Sequence, residues 1–250
     1  SAARFVAHAF QGDDAEMRSL KGIKINILMG RHAGWLTAAS TLGKASEEDG
    51  PHLVYVPEKP FIVEDFKKEV KEVYDSLGRC VVAVSEGIQG DDGEYFLQTY
   101  AREAGSSLAG QKDSHGNIQL SGSGLLGDTL AQIISKHIET ARVRADTFGY
   151  LQRSFLADVS EVDADEAERV GRHAVVSSKS SNSGSVILRR QLSEKYFSDV
   201  DVVDLHKVAK HTKNMPKEFL DQNRPYVTND FFEYAMPLTG GIEPKTQIFV

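Results

Sequence analysis

One cysteine, Cys80, stands among 250 residues. No disulfide can form within the chain, and this usage fits a reducing, cytoplasmic compartment. Cys80 lies in an apolar run with nothing beside it to favour a thiolate, so no reactive role is expected. No apolar stretch approaches the roughly 20 residues that cross a bilayer, and no signal peptide is visible. Positive charge is also short: 29 Lys and Arg face 36 Asp and Glu, a net charge of −7, which removes the electrostatic basis for nucleic-acid binding. The eight histidines include no i, i+4 pair and no H-E-x-x-H, so no zinc site is expected. G-x-S-x-G and G-x-x-x-x-G-K-[ST] are both missing, and there is no repeat or heptad. What remains is a chain with ample apolar content, long enough for one large domain or two small ones.

The organising stretch runs from Ile23 to Ala39. Ile23, Ile25 and Ile27 alternate as in a half-buried strand, Met29-Gly30-Arg31 forms a turn, and an Ala-rich helix to about Lys44 follows. Glycine allows close backbone approach, arginine offers a fork for phosphate oxygens, and the helix would aim its first amides at the same place. An anion site is the expectation; a plain strand–helix turn with a surface arginine is the alternative.

Around it, residues 1–10 read as a helix and Gln11–Ser19 as a polar connection. His52–Pro57 reads as a short strand, Val63–Leu77 as an amphipathic helix ended by Gly78, and Cys80–Val84 as a strand buried on both faces. The order is that of an α/β parallel sheet, Rossmann-like, covered by helices. Ile88–Gly124 reads as a polar insertion with one helix at Tyr95–Glu103. A helix capped by Asp128 is expected to Thr140, with His137 as a half-buried structural histidine, and a strand over Ala141–Phe148. A helix at 163–178, a Ser-rich loop to Ser185 and a strand at Ser185–Arg190 complete the reading. The acidic group Glu161, Asp163, Asp165, Glu166 and Glu168 reads as a solvated helix start.

Polar groups gather at four strand ends: Met29-Gly30-Arg31, Ser85-Glu86-Gly87, Arg144 within its strand, and Tyr150 with Arg153. Carboxyl ends of parallel strands share one rim, so a cleft with several arginines and one carboxylate is expected, suited to a sugar phosphate. Taken singly, Arg144 could pair with Asp146 and Glu86 could cap a helix. Gly122–Gly127 matches G-x-G-x-x-G, with Asp146 nineteen residues further on. It lacks a strong strand before the first glycine, so flexible glycines ahead of a helix are the better reading, with a dinucleotide site as the alternative.

At Met29–Gly34, at Val82–Gly87 and at Gly149–Arg153, with Arg144 six residues before Tyr150, the chain resembles the 6-phosphofructokinase family over roughly residues 20–175. The resemblance implies the sugar-phosphate-binding half of that fold. Met29, Gly30, Glu86, Tyr150, Leu151, Gln152 and Arg153 would bind fructose 6-phosphate. Arg31 would stabilise the transferring phosphoryl group, and Arg144 would reach the sugar's phosphate, in many members from the neighbouring subunit of a homo-oligomer. Tyr150, His32-Ala33-Gly34 and Gly184-Ser185-Val186 resemble the pyrophosphate-dependent branch, which implies a reversible glycolytic reaction; ATP is the alternative donor.

The family's donor-binding glycine loop and aspartate-rich stretch lie well ahead of Met-Gly-Arg, whereas 28 residues precede Met29 here. The catalytic base and the ligands for Mg2+ are therefore expected outside this chain. Residues 1–150 would form the acceptor domain, with its insertion near 88–124, and 151–250 a segment packing with the missing donor domain. A non-catalytic sugar-phosphate-binding or regulatory subunit is the competing reading.

Overall fold

The computed structural model describes residues 1–103, 124–180, 183–191, 193 and 195–243. Residues 104–123 of the expected insertion, and Gly122-Ser123 of the glycine motif, lie outside that set. Four parallel strands form the central sheet in the order β2 (Leu53–Tyr55), β3 (Arg79–Ser85), β1 (Gly22–Leu28) and β4 (Val143–Thr147). Helix α1 (Ala2–Leu20) lies on one face, with the five-residue helix α2 (Trp35–Ala39) beside it. Helices α3 (Val63–Leu77), α4 (Phe96–Glu103) and α5 (Leu125–His137) cover the other face.

Strand β1 is buried on both faces, not one. Ile23, Ile25 and Ile27 pack with Phe66, Val70, Leu130 and Ile134 under α3 and α5. The alternate row is polar yet covered: Lys24 pairs with Asp146, and Asn26 donates to Asp13 at 2.5 Å. The same contacts explain why Gln11–Ser19 is helical where a connection is predicted. Asp13 and Asp14 turn inward, and Asp14 binds Arg18 at 2.9 Å and Arg79 at 3.4 Å. A buried carboxylate matched by guanidinium groups is tolerated in a helix face that faces a polar strand row.

Local signals set the remaining boundaries. Gly78 ends α3 in the left-handed conformation at φ 68°, with its N–H on Tyr74 O. Helix α5 is capped by Gly124 rather than Asp128, which sits in its first turn, and ends three residues earlier than predicted. His137 is exposed, because the apolar stripe closes on Ile134 and Ile138 and leaves it outside.

Beyond β4, α6 (Glu161–Ser177) packs on an antiparallel hairpin, β5 (Ser185–Arg190) with β6 (Ser198–Val203). Strand β6 was not expected from the sequence. Glu166 is buried, not solvated: Tyr196 and Ser198 both donate to it and Arg169 lies beside it. The chain then returns to the sheet. Met215, Leu220, Tyr226, Val227, the α7 (Asn229–Ala235) residue Phe231, and Ile242 join the α1-side core with Val6, Ala7 and Phe10. Among the described residues, no helix is long and apolar enough to cross a membrane.

Candidate functional site

Strands β1 and β3 are paired in register to their last residues, Leu28 opposite Ser85, so the turns that follow leave side by side. Glu86 N–H donates to Leu28 O at 2.9 Å and extends the ladder by one rung. Next to it Gly30 adopts φ 154°, and a Cβ there would meet Ser85 Oγ and Ala33 O at 2.7 Å. Ser85 Oγ donates to Gly30 O at 2.5 Å. Gly87 is tighter still, since its Cβ would fall 2.0 Å from Arg31 O. Two glycines thus let the turns touch, backbone against backbone.

This contact delivers Glu86 to the floor of the rim. Gly30 N–H points at its Oε1, 3.4 Å away. Burial pushes the Glu86 carboxyl above the usual carboxylate range, with Gly30 N–H and Arg31 opposing the shift. Such a carboxylate is a strong acceptor for a hydroxyl hydrogen bond and sits beside a cation. Met29 N–H donates to Gln152 Oε1 at 3.2 Å, and Gln152 Nε2 donates to Gly149 O at 2.8 Å. Both polar atoms of this buried side chain serve to fix the Met29 turn to the segment after β4.

The predicted site residues divide accordingly. Met29, Gly30, Arg31 and Glu86 come together, with Gln152 beneath them. Tyr150 and Leu151 are largely exposed on the short turn after β4, and the Arg153 guanidinium lies over the Tyr150 ring at 4.7 Å. Arg144 is not brought to the rim by its own chain. It pairs in register with Lys24, four residues below Leu28, about 13 Å down the sheet, on the exposed face of the edge strand. Its neighbour Asp146 is taken by Lys24.

Within the expected anion site, the amide at the start of α2 is taken by a side chain of the chain itself. Both oxygens of Glu58 accept from Gly34 N–H at 3.1 Å, and Oε1 also accepts from Met215 N–H at 3.0 Å. A negative side chain occupies the helix start that a phosphate would otherwise favour. Tyr95 was missed as well. The Gly90–Gly93 turn closes a small hairpin through the Gln89–Tyr95 bridge and places the phenol 3.2 Å from His32 Nδ1. The Asp92-Gly93 dipeptide was the available signal. Cys80 is fully buried, and burial drives its thiol up, as its apolar run implied.

Comparison with known proteins agrees with this geometry. Residues 1–177 match the phosphofructokinase family model. A pyrophosphate–fructose 6-phosphate 1-phosphotransferase of Rhodospirillum rubrum is 48% identical over 241 residues, covering 96% of this chain and 58% of that protein. One from Xanthomonas campestris is 33% identical over 217 residues, covering 86% and 49%. The pyrophosphate-dependent phosphofructokinase of Nitrosospira multiformis superposes with TM-score 0.78 at 25% identity, over 99% of this chain and 56% of that one. The chain therefore spans about half the length of the curated relatives it matches. With the glycine-locked turns, the buried glutamate and the sheet order in place, the match over residues 1–177 establishes that this chain belongs to the phosphofructokinase family.

Proposed function

We propose that this chain carries the acceptor half of a pyrophosphate-dependent phosphofructokinase of glycolysis, a cytoplasmic homo-oligomer. It binds fructose 6-phosphate, while residues outside the chain bind pyrophosphate and supply the base. The observation that carries the reading is Glu86, buried, facing Gly30 N–H and set beside Arg31. The names of the relatives support the donor and acceptor chosen.

In the proposed reaction the sugar's 1-hydroxyl oxygen bonds to a phosphorus of pyrophosphate. The bridging P–O bond breaks, inorganic phosphate leaves, and the hydroxyl proton passes to the base. The chain's own part is placement and charge, which dominate phosphoryl transfer. Glu86 accepts a hydrogen bond from a sugar hydroxyl, and the Met29–Gly30 backbone lets the sugar approach closely. Arg31 offsets charge on the transferring group. Tyr150, Leu151 and Arg153, steadied by Gln152, meet the 6-phosphate end, together with Arg144 of the partner subunit. Among the described residues no three His, Cys, Asp or Glu could hold a metal ion. This reading assigns Mg2+ to the donor site outside the chain, and no step here runs through it. Residues 1–150 serve as the acceptor domain, its α1-side core completed by residues 215–242. Of residues 151–250, the α6–β5–β6 part packs with the donor domain through exposed Val175, Val176 and Phe197.

Calorimetry tests this. Fructose 6-phosphate and fructose 1,6-bisphosphate should bind the chain, pyrophosphate should not, and Arg153→Ala should lose the sugar phosphates. A folded chain that takes up neither sugar phosphate refutes the reading.

A further inference from the structure

Tyr95 reaches the rim by a route independent of the matched motifs. Gly90 N–H donates to Glu94 O at 3.0 Å and Phe96 N–H to Ile88 O at 3.0 Å, so the hairpin folds back on the exit of β3. Phe96 anchors its base, packed edge-to-face against Phe61 at 4.9 Å between ring centres and almost wholly buried. Tyr95 is therefore fixed at its backbone while its ring remains half exposed. Its hydroxyl meets His32 Nδ1 at 3.2 Å, one residue beyond Arg31. Burial pushes the phenol up, with Arg31 opposing this and Glu86 adding to it.

We propose that Tyr95, held by His32, is a further acceptor-binding residue, and that it reads a neutral hydroxyl of the sugar rather than a phosphoryl oxygen. This rests on the proposed binding of fructose 6-phosphate. The chemistry follows from the neighbours. Glu86 stands on the same rim, its turn pressed against the backbone of Arg31 next to His32, and a carboxylate there accepts from a sugar hydroxyl. A phenol both donates and accepts, so it completes the second hydrogen bond of that hydroxyl. His32 acts as a positioning residue: with Nδ1 engaged, the ring holds the phenol over the rim instead of leaving it to rotate into solvent.

The test is calorimetric binding of fructose 6-phosphate to the chain, with inorganic phosphate measured as its competitor and melting temperatures recorded for every variant. Tyr95→Phe should bind fructose 6-phosphate about tenfold more weakly, the loss of one hydrogen bond, with phosphate competition and melting unchanged. His32→Ala should show the same loss. His32→Asn, whose amide stands where Nδ1 did, should restore most of the affinity. Unchanged affinity in Tyr95→Phe overturns the assignment, and equal weakening of sugar phosphate and phosphate overturns the hydroxyl reading. If the unmodified chain binds no fructose 6-phosphate, the acceptor function falls and this assignment with it; a binding chain indifferent to Tyr95 sinks this assignment alone.

Discussion

Glu58 gives the sharpest test of how the rim is held. Its carboxylate bridges the end of the Met29–Gly34 turn and the returning segment at Met215, with N···O distances of 3.1, 3.1 and 3.0 Å. Glu58→Ala orphans two half-buried amides. A hydrogen bond to a charged group contributes roughly 1.5–3 kcal/mol, and the lower value suits a side chain with partial solvent access. Two such bonds give about 3 kcal/mol, and at roughly 2–4 °C per kcal/mol for this chain length, melting should fall by about 6–12 °C. Glu58→Gln keeps one acceptor oxygen and should lose about half of that. Fructose 6-phosphate affinity should drop in parallel, because Gly34 and Arg31 share one turn. Urea and thermal unfolding of the three proteins, each with a ligand titration, decide the matter. An alanine variant that melts with the parent would refute the clamp.

Three further outcomes are expected. His52 accepts from Val81 N–H at 2.9 Å through Nδ1, and its Nε2 faces Glu48 O at 3.1 Å, so the fold holds it neutral; burial, with Lys44 adding, lowers its pKa to about 4. A base whose pKa is depressed on folding contributes fully above its unfolded value near 6.5, and that contribution is lost as pH falls towards 4. Stability should therefore decline by about 3 kcal/mol over that interval, and a His52→Gln variant should lack this slope; an identical slope in the variant counts against the assignment. Gly87→Ala forces a Cβ to 2.0 Å from Arg31 O and should cost about 3 kcal/mol while abolishing sugar-phosphate binding, read by urea unfolding and calorimetry. Asn26→Asp sets a second carboxylate against Asp13, which burial already holds above its ordinary pKa; the urea midpoint should drop by the equivalent of about 3 kcal/mol at neutral pH and recover in acid.

Most of the sheet was legible because its residues report their surroundings locally. Cys80–Val84 has no polar residue and is buried on both faces, and Gly78 marks a helix end through a backbone conformation that suits glycine. The α1 side was misread because its burial depends on partners distant in sequence. Lys24 and Asn26 look solvent-facing until Asp146 and Asp13 are placed over them, and Asp13 looks like a loop residue until Asn26 is placed beneath it. In each pair the burial of the strand residue depends on a partner the local sequence does not announce. Glu166 repeats the pattern with Tyr196 and Ser198. At the site, Met29, Gly30 and Glu86 followed from strand order. The positions of Glu58 and Tyr95 beside that rim did not, because a charged or phenolic side chain on a turn carries no periodicity to say which way it faces.

The two faces of the sheet also differ in when they can be completed during synthesis. Every buried residue of the α3–α5 side falls between Ile23 and Ile138. The α1 side draws on Val6 and on Ile242 alike. At the usual ribosomal pace of roughly 5–20 residues per second, about a hundred residues separate the two moments, or some 5–20 seconds. During that interval Phe10 and its neighbours wait on a half-built sheet with their apolar side uncovered. Over that interval the chain is thus most exposed to aggregation, and to chaperone capture, along α1.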